Sequence, residues 1–210
     1  MNDPLEIIAC EQGSPDWIQS RLGIPTASEF AAILTKGRGG AESKTRLSYL
    51  YKLAGERLTG EPMETVSSFH MERGKLMEDE ARSVYGFVTG TACERVGFLR
   101  RGRAGASPDA LIGDDGLLEI KTRLPHLMIE TILRGEFPPE HKAQCQGQLW
   151  IAQRDWIDIA VYWPGMPIFI TRAHRDEAYI RELADAVAVF NAELDLTVER
   201  IRSYGAAKAA

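Results

Sequence analysis

The chain has 210 residues, of which 44% are hydrophobic and 26% charged, the balance of a globular domain rather than of a disordered or fibrous chain. No apolar run approaches the ~18 residues that cross a bilayer, the start MNDPLEIIACEQG lacks the basic flank of a secretory signal, and three scattered cysteines, Cys10, Cys93 and Cys145, fit neither a disulfide framework nor a metal knuckle, so a reducing, cytoplasmic setting is expected. The net charge of −5, from 25 Lys and Arg against 30 Asp and Glu, argues against a protein that coats DNA generally and does not exclude one that holds DNA in a local groove.

A single domain over residues 1–210 is expected. Ser14-Pro15-Asp16 is a cap followed by proline at the first helical position, and it opens a short helix through Arg21. Thr26 or Ser28 caps another helix over residues 29–34, and the glycine-rich residues 36–44 read as a loop. Leu47, Leu50, Leu53 and Leu58 give one apolar face to a helix ending at Gly60. Ser68 starts the next, with Met71, Leu76, Ala81 and Val84 on its inner side and an end near Tyr85-Gly86. Glycine-bounded runs predict strands at residues 96–99, 110–112 and 117–121, the last two joined across Gly113-Asp114-Asp115-Gly116. Helices over 125–134 and 139–153 follow, then strands at 157–163 and 168–171 around Pro164-Gly165. An amphipathic helix from Asp176 carries Leu183, Val187, Phe190 and Leu194 on its apolar face. This order implies a mixed α/β (α+β) fold around one central sheet.

Charge is unevenly spread. Residues 36–57 hold Lys36, Arg38, Lys44, Arg46, Lys52 and Arg57, residues 95–103 hold Arg95, Arg100, Arg101 and Arg103, and residues 176–199 are mainly acidic.

The chemistry centres on Pro108-Asp109, then nine residues, then Glu119-Ile120-Lys121. Residues two apart in a strand share a face, so Glu119 and Lys121 point the same way. A symmetric two-residue turn at Asp114-Asp115 would set Asp109 opposite Ile120. Convergence with Glu119 and Lys121 requires a three-residue loop or a bulge, which shifts the register by one. Converged, Asp109, Glu119 and the Ile120 carbonyl are hard oxygen donors suited to Mg²⁺, and Lys121 can position the water that attacks a phosphodiester, or help deprotonate it.

Pro108-Asp109…Glu119-Ile120-Lys121 resembles the motif of the PD-(D/E)xK nucleases. Three further segments are similar to the phage lambda exonuclease type of viral recombination nuclease: RLGIPTASE at 21–29, RGKLMEDEA at 73–81 and AQCQGQLW at 143–150. They occur in that family's order, and the resemblance covers residues 11–163. It implies a restriction-endonuclease-like core, a central mixed sheet flanked by helices. It implies that Asp109, Glu119 and the Ile120 carbonyl bind Mg²⁺ (Mn²⁺ as a substitute), that Glu78 approaches the metal, that Lys121 is the catalytic lysine and that Gln144 faces the site. Arg21, Ser28 and Ser107 match positions that hold a 5′-terminal phosphate, and Met71 matches an apolar wedge between bases.

The activity so implied is a processive 5′→3′ exonuclease on double-stranded DNA ends. It would release 5′-mononucleotides and leave 3′ single-stranded tails for phage-type recombination. The expected assembly is a ring-shaped homotrimer with the basic stretches toward its channel and the acidic C-terminal helix away from it. The expected partner is a single-strand annealing recombinase protein, in a bacterial cytoplasm under a phage or prophage. Phe69 and His70 depart from the small or basic residues expected beside the wedge, and the stretch after Trp163 matches poorly. The cysteines speak against the relatives that carry a four-cysteine iron–sulfur cluster. An endonuclease or repair nuclease of the same fold, or a DNA-binding protein without catalysis, are the alternatives. Intact Asp109, Glu119 and Lys121 argue against the second.

Overall fold

The computed structural model describes residues 3–37, 39, 42–63 and 69–207, with backbone alone for 69–75 and 205–207. The expected helix start at Ser68 and the wedge side chain of Met71 lie outside the described residues and side chains.

Two strands form the centre, β5 (Gly116–Thr122) and β6 (Trp156–Tyr162). Their nearly continuous apolar runs suit a parallel pair covered on both faces, and they pair in parallel from Gly116↔Trp156 to Thr122↔Tyr162. β4 (Ala110–Ile112) and β7 (Phe169–His174) flank them antiparallel, giving a mixed sheet in the order β4-β5-β6-β7. The link from β5 to β6 passes through α5 (Pro125–Arg134) and α6 (Lys142–Ala152). Side chains alternate between the two faces. On one face, Leu118, Ile120, Ala160 and Tyr162 meet Ala81 and Tyr85 of α4 (Phe69–Thr89). On the other, Leu117, Ile157, Ile159 and Val161 join the larger core with α6, α2 (Phe30–Leu34), α3 (Lys44–Thr59) and α7 (Glu177–Ala207).

Beside this expected mixed sheet stands a second, antiparallel one of β1 (Leu5–Ile8), β2 (Phe98–Arg101) and β3 (Ala104–Ala106). β1 and β3 were not legible as strands, and β2 begins two residues later than expected. β1 is an outer strand whose Ile7 is exposed. β3 is the tripeptide Ala-Gly-Ala, without a β-branched or aromatic residue. Its glycine is required by packing, since a Cβ on Gly105 would lie 2.0 Å from Phe98 Cζ.

The helices follow the sequence closely. α1 (Pro15–Ser20) starts where Ser14 Oγ accepts from Trp17 N at 3.2 Å. α3 ends on Gly60 at φ +74°, and α7 starts where Asp176 Oδ1 accepts from Tyr179 N at 3.0 Å. Two expectations for α4 fail. It runs on to Thr89, and Leu76 is 83% exposed. Its buried stripe is set by Ala81 and Tyr85. Leu76 lies five residues before Ala81, about 140° round the helix at 3.6 residues per turn. Among the described residues, no helix is long and apolar enough to cross a membrane.

The expected separation of the basic stretches from the acidic C-terminal helix also fails. Glu193 of α7 binds Arg46 at 2.7 Å, and Asp195 binds both Arg57, at 2.8 Å, and Arg103. Arg101 is buried, donating to the carbonyls of Ile151 and Asp3, and Arg95 pairs with Asp79. The apolar stripe of α7 buries against α3, and this brings the acids beside that stripe onto Arg46 and Arg57 of α3 and onto Arg103.

Candidate active site

The β4–β5 hairpin has a three-residue loop, Gly113-Asp114-Asp115, with Ile112 opposite Gly116. Gly113 adopts φ +52°, a conformation that costs glycine nothing. The pair Ala110↔Leu118, carried one step on, sets Asp109 opposite Glu119, and Asp109 N donates to Leu118 O at 3.0 Å. The register shift that convergence requires is thus present, and it comes from the loop.

Asp109 leaves the ladder and turns its side chain onto β5, where Oδ2 accepts from Ile120 N at 2.5 Å. A strand residue directs its N–H and C=O to the same edge, so the Ile120 carbonyl faces Asp109 past the end of β4. Glu119 and Lys121 point to the face of β5 opposite the Ile120 side chain, toward α6. The buried Glu119 carboxylate is gripped at both oxygens. Oε1 accepts from Gln144 Nε2 at 2.6 Å and pairs with Lys121 Nζ at 2.8 Å, while Oε2 accepts from Gln148 Nε2 at 2.6 Å. Lys121 Nζ also donates to Gln144 Oε1 at 3.0 Å, so Glu119, Lys121 and Gln144 close a ring of contacts. Glu78 stands at the margin. It is ion-paired to Arg82, whose Nε donates to the Asp109 carbonyl at 3.2 Å.

Negative charge is crowded here. Burial, then the charges of Glu119 and Glu78, hold the Asp109 carboxyl well above the usual range, against the opposing pull of the Ile120 N–H and Lys121. Burial lowers the Lys121 ammonium, but Glu119 and Asp109 outweigh it and lift Lys121 above its ordinary value. Among the described residues, no three His, Cys, Asp or Glu side chains form a metal-holding group. The donor set is instead two carboxylates and a main-chain carbonyl. A divalent cation with hard-oxygen preference fits this set, because its charge offsets the crowding of Glu119 and Glu78 that, after burial, raises the Asp109 carboxyl.

A second cluster adjoins the first. Arg21 lies over the Trp17 ring at 4.0 Å and donates from Nη2 to Thr26 Oγ1 at 3.1 Å. Thr26 Oγ1 is 3.3 Å from Ser28 Oγ, and Trp17 Nε1 donates to Ser107 Oγ at 2.8 Å. Arg21, Ser28 and Ser107, widely separated in sequence, are therefore neighbours. Burial lowers the Arg21 pKa, and among the described residues no carboxylate forms an ion pair with it. A half-buried guanidinium beside three hydroxyls is a natural anion site. Gln12 holds the segment between Ser107 and Asp109, its Nε2 donating to the carbonyls of Val96 and Pro108 at 2.9 Å each.

Sequence reasoning missed Trp17, Thr26, Arg82, Gln12 and Gln148. Helical spacing could have found two of them, since Trp17 is four residues before Arg21 and Gln148 four after Gln144.

No curated protein matches the chain. Two crystal structures of an alkaline exonuclease from Laribacter hongkongensis superpose with a TM-score of 0.84, at 36% identity and, in the complex with dAMP, 37%. Each alignment covers 94% of this chain and 100% of the other. A phage-related exonuclease from Haemophilus somnus 129PT shares the fold, with a TM-score of 0.65, 14% identity and coverage of 85% and 96%. Residues 16–155 match the YqaJ-like viral recombinase domain, and this span holds both clusters. The chain belongs to the YqaJ-like viral recombinase family, and its structure is similar to that of an alkaline exonuclease.

Proposed function

We propose that the chain is a Mg²⁺-dependent processive exonuclease that degrades the 5′-ended strand of double-stranded DNA in the 5′→3′ direction. The products are 5′-mononucleotides and a 3′ single-stranded tail for phage-type recombination. The carrying observation is that Ser107 belongs to the anion cluster and Asp109 to the carboxylate cluster. Two residues of extended chain span about 6.6 Å, the scale of one nucleotide. A terminal phosphate held by Arg21, Ser28 and Ser107 then presents the next phosphodiester at Asp109 and Glu119. The dAMP complex of the Laribacter hongkongensis enzyme supports a mononucleotide-sized product site.

Asp109, Glu119 and the Ile120 carbonyl hold Mg²⁺, or Mn²⁺ in its place, with Glu78 nearby. When bound, the cation neutralises charge developing on the phosphodiester and favours ionisation of the attacking water. Lys121, kept charged by Glu119, orients that water and stabilises the phosphate oxygens. Gln144 fixes both Lys121 and Glu119. A ring-shaped homotrimer would account for processivity. A single-strand annealing protein is the expected partner, within a bacterial cytoplasm.

Linear duplex labelled at either end, with and without Mg²⁺, tests polarity and metal use together. Charge-assisted bonds to the terminal phosphate predict faster digestion from a 5′-phosphate than from a 5′-hydroxyl. Arg21→Ala should shrink that preference about tenfold, the equivalent of one such bond at about 1.4 kcal/mol. Release of the label from 3′ ends first would overturn the polarity.

A further inference from the structure

Three glutamines on α6 are in polar contacts, and in two of them both the amide nitrogen and the amide oxygen have a partner. Gln146 donates to His174 O and accepts from Asp176 N, each at 2.9 Å, and so ties α6 to β7 and the start of α7. Gln144 donates to Glu119 and accepts from Lys121. Gln148 differs. It is 1% exposed and donates Nε2 to Glu119 Oε2 at 2.6 Å, yet its Oε1 has no hydrogen-bond partner. Among the described residues this is the one buried side-chain polar atom left unpaired.

A buried amide oxygen without a protein partner opposes folding. Reversing the amide does not help, because it would set Oε1 against a carboxylate oxygen at 2.6 Å. A methionine of similar length would fill the same space without an orphaned atom. Packing alone therefore does not account for glutamine here. What the amide uniquely supplies is an N–H aimed at the oxygen of Glu119 that neither Lys121 nor Gln144 touches.

We propose that Gln148 is a positioning residue for the nuclease reaction, fixing the rotation of the Glu119 carboxylate and hence which of its lone pairs is presented for a divalent cation. Clamped at Oε1 alone, the carboxylate could swing about its Cγ–Cδ bond. With a second donor one helical turn along α6, both oxygens are fixed from one rigid helix. Outer partners of this kind commonly change metal affinity or activity by about 10–100-fold. The inference rests on the reading of Glu119 as a metal ligand.

The test compares wild type with Gln148→Met in three measurements: turnover on linear duplex with Mg²⁺, Mn²⁺ affinity by calorimetry without DNA, and melting temperature without metal. The expected result is at least about tenfold loss of both turnover and Mn²⁺ affinity, with the melting temperature unchanged or raised. Turnover within twofold of wild type, or unchanged Mn²⁺ affinity, overturns the proposal. Should Gln148→Met fail to fold, Gln148→Glu decides instead, because it keeps the shape and replaces the donor by an acceptor. Near-normal turnover and Mn²⁺ affinity in that variant overturn the proposal equally. Activity surviving in Glu119→Gln or Lys121→Ala would remove the site itself. Loss in those two with a wild-type Gln148→Met would remove this inference alone.

Discussion

Lys121 and Glu119 are not equivalent in what their loss does to the folded chain. Removing Lys121 leaves Glu119 with two amide donors, so Lys121→Ala should fold normally. Glu119→Ala strips Gln144, Gln148 and Lys121 of a shared acceptor in a buried place, and about 1–3 kcal/mol of stability should go with each stranded group. Both variants should lose at least about 100-fold in turnover, since each such electrostatic group supplies about 3 kcal/mol of barrier lowering, while DNA binding remains measurable by gel shift. A Lys121→Ala enzyme with normal turnover would show that its ion pair is structural. Asp109, Glu119 and Lys121 were legible because their residue types and spacing have few other uses in combination, whereas Gln144 was named only through the family resemblance. Gln148 was not, because a glutamine on a helix reads as solvent-facing until the strand it covers is known. Arg21, Ser28 and Ser107 needed a family resemblance to be linked, and Trp17 and Thr26 are the physical connection between them.

Elements place these residues through contacts that tolerate little change. α6 approaches the turn at Ala27 through Gly147, where an added Cβ would stand 2.4 Å from Phe30 Cδ2 and 3.3 Å from Ala27 Cβ. Phe30 is fully buried, so α6 must retreat, and it carries Gln144 and Gln148 with it. Gly147→Ala should cost about 1–3 kcal/mol and also lower turnover. Gly135→Ala, at φ +66° with open space around it, should cost about 1–2 kcal/mol through backbone strain and leave turnover per folded molecule unchanged. Urea midpoints and initial rates on both variants separate the two effects. Tyr49 of α3 fixes the same turn from the other side, accepting from Thr26 N at 3.1 Å. Burial pushes its phenol from 10.0 up to about 12. The folded chain thus holds this proton more tightly than the unfolded chain. Its contribution is fully present below pH 10 and is lost as pH rises toward 12, about 3 kcal/mol in all. Wild-type stability should fall more steeply over that window than that of Tyr49→Phe, which has no proton to lose. Parallel slopes would assign the alkaline loss to other groups. The helices were readable from caps and apolar periodicity, whereas β1 and β3 were not. Three or four residues of small or exposed side chains carry too little pattern, and their pairing is decided by distant chain.

At the scale of the whole molecule, the relation between charge and shape changes the picture that the linear sequence suggested. Arginines from both basic stretches are bound by Glu193 and Asp195 of α7, so the counted basic residues overstate the positive surface. Their pairing depends on which faces α3 and α7 bury against each other, which no count along the chain reveals. With several arginines so occupied and a net charge of −5, a monomer would attract DNA weakly and release it readily. The proposed closed ring would solve this by topology, since a heterologous interface repeated around a threefold axis would enclose the duplex without strong contacts. The purified protein should then scatter light at three times the monomer mass without DNA. Loading onto an end relies on charge that salt screens, so its rate should fall steeply as ionic strength rises. Once threaded, the duplex is retained by enclosure, so run length per encounter should fall only weakly over the same salt range. A run length that falls as steeply as the loading rate would mean that ionic contacts, and not enclosure, hold the enzyme on its substrate, and a monomeric mass at micromolar concentration would remove the ring while leaving the chemistry of Asp109, Glu119 and Lys121 intact.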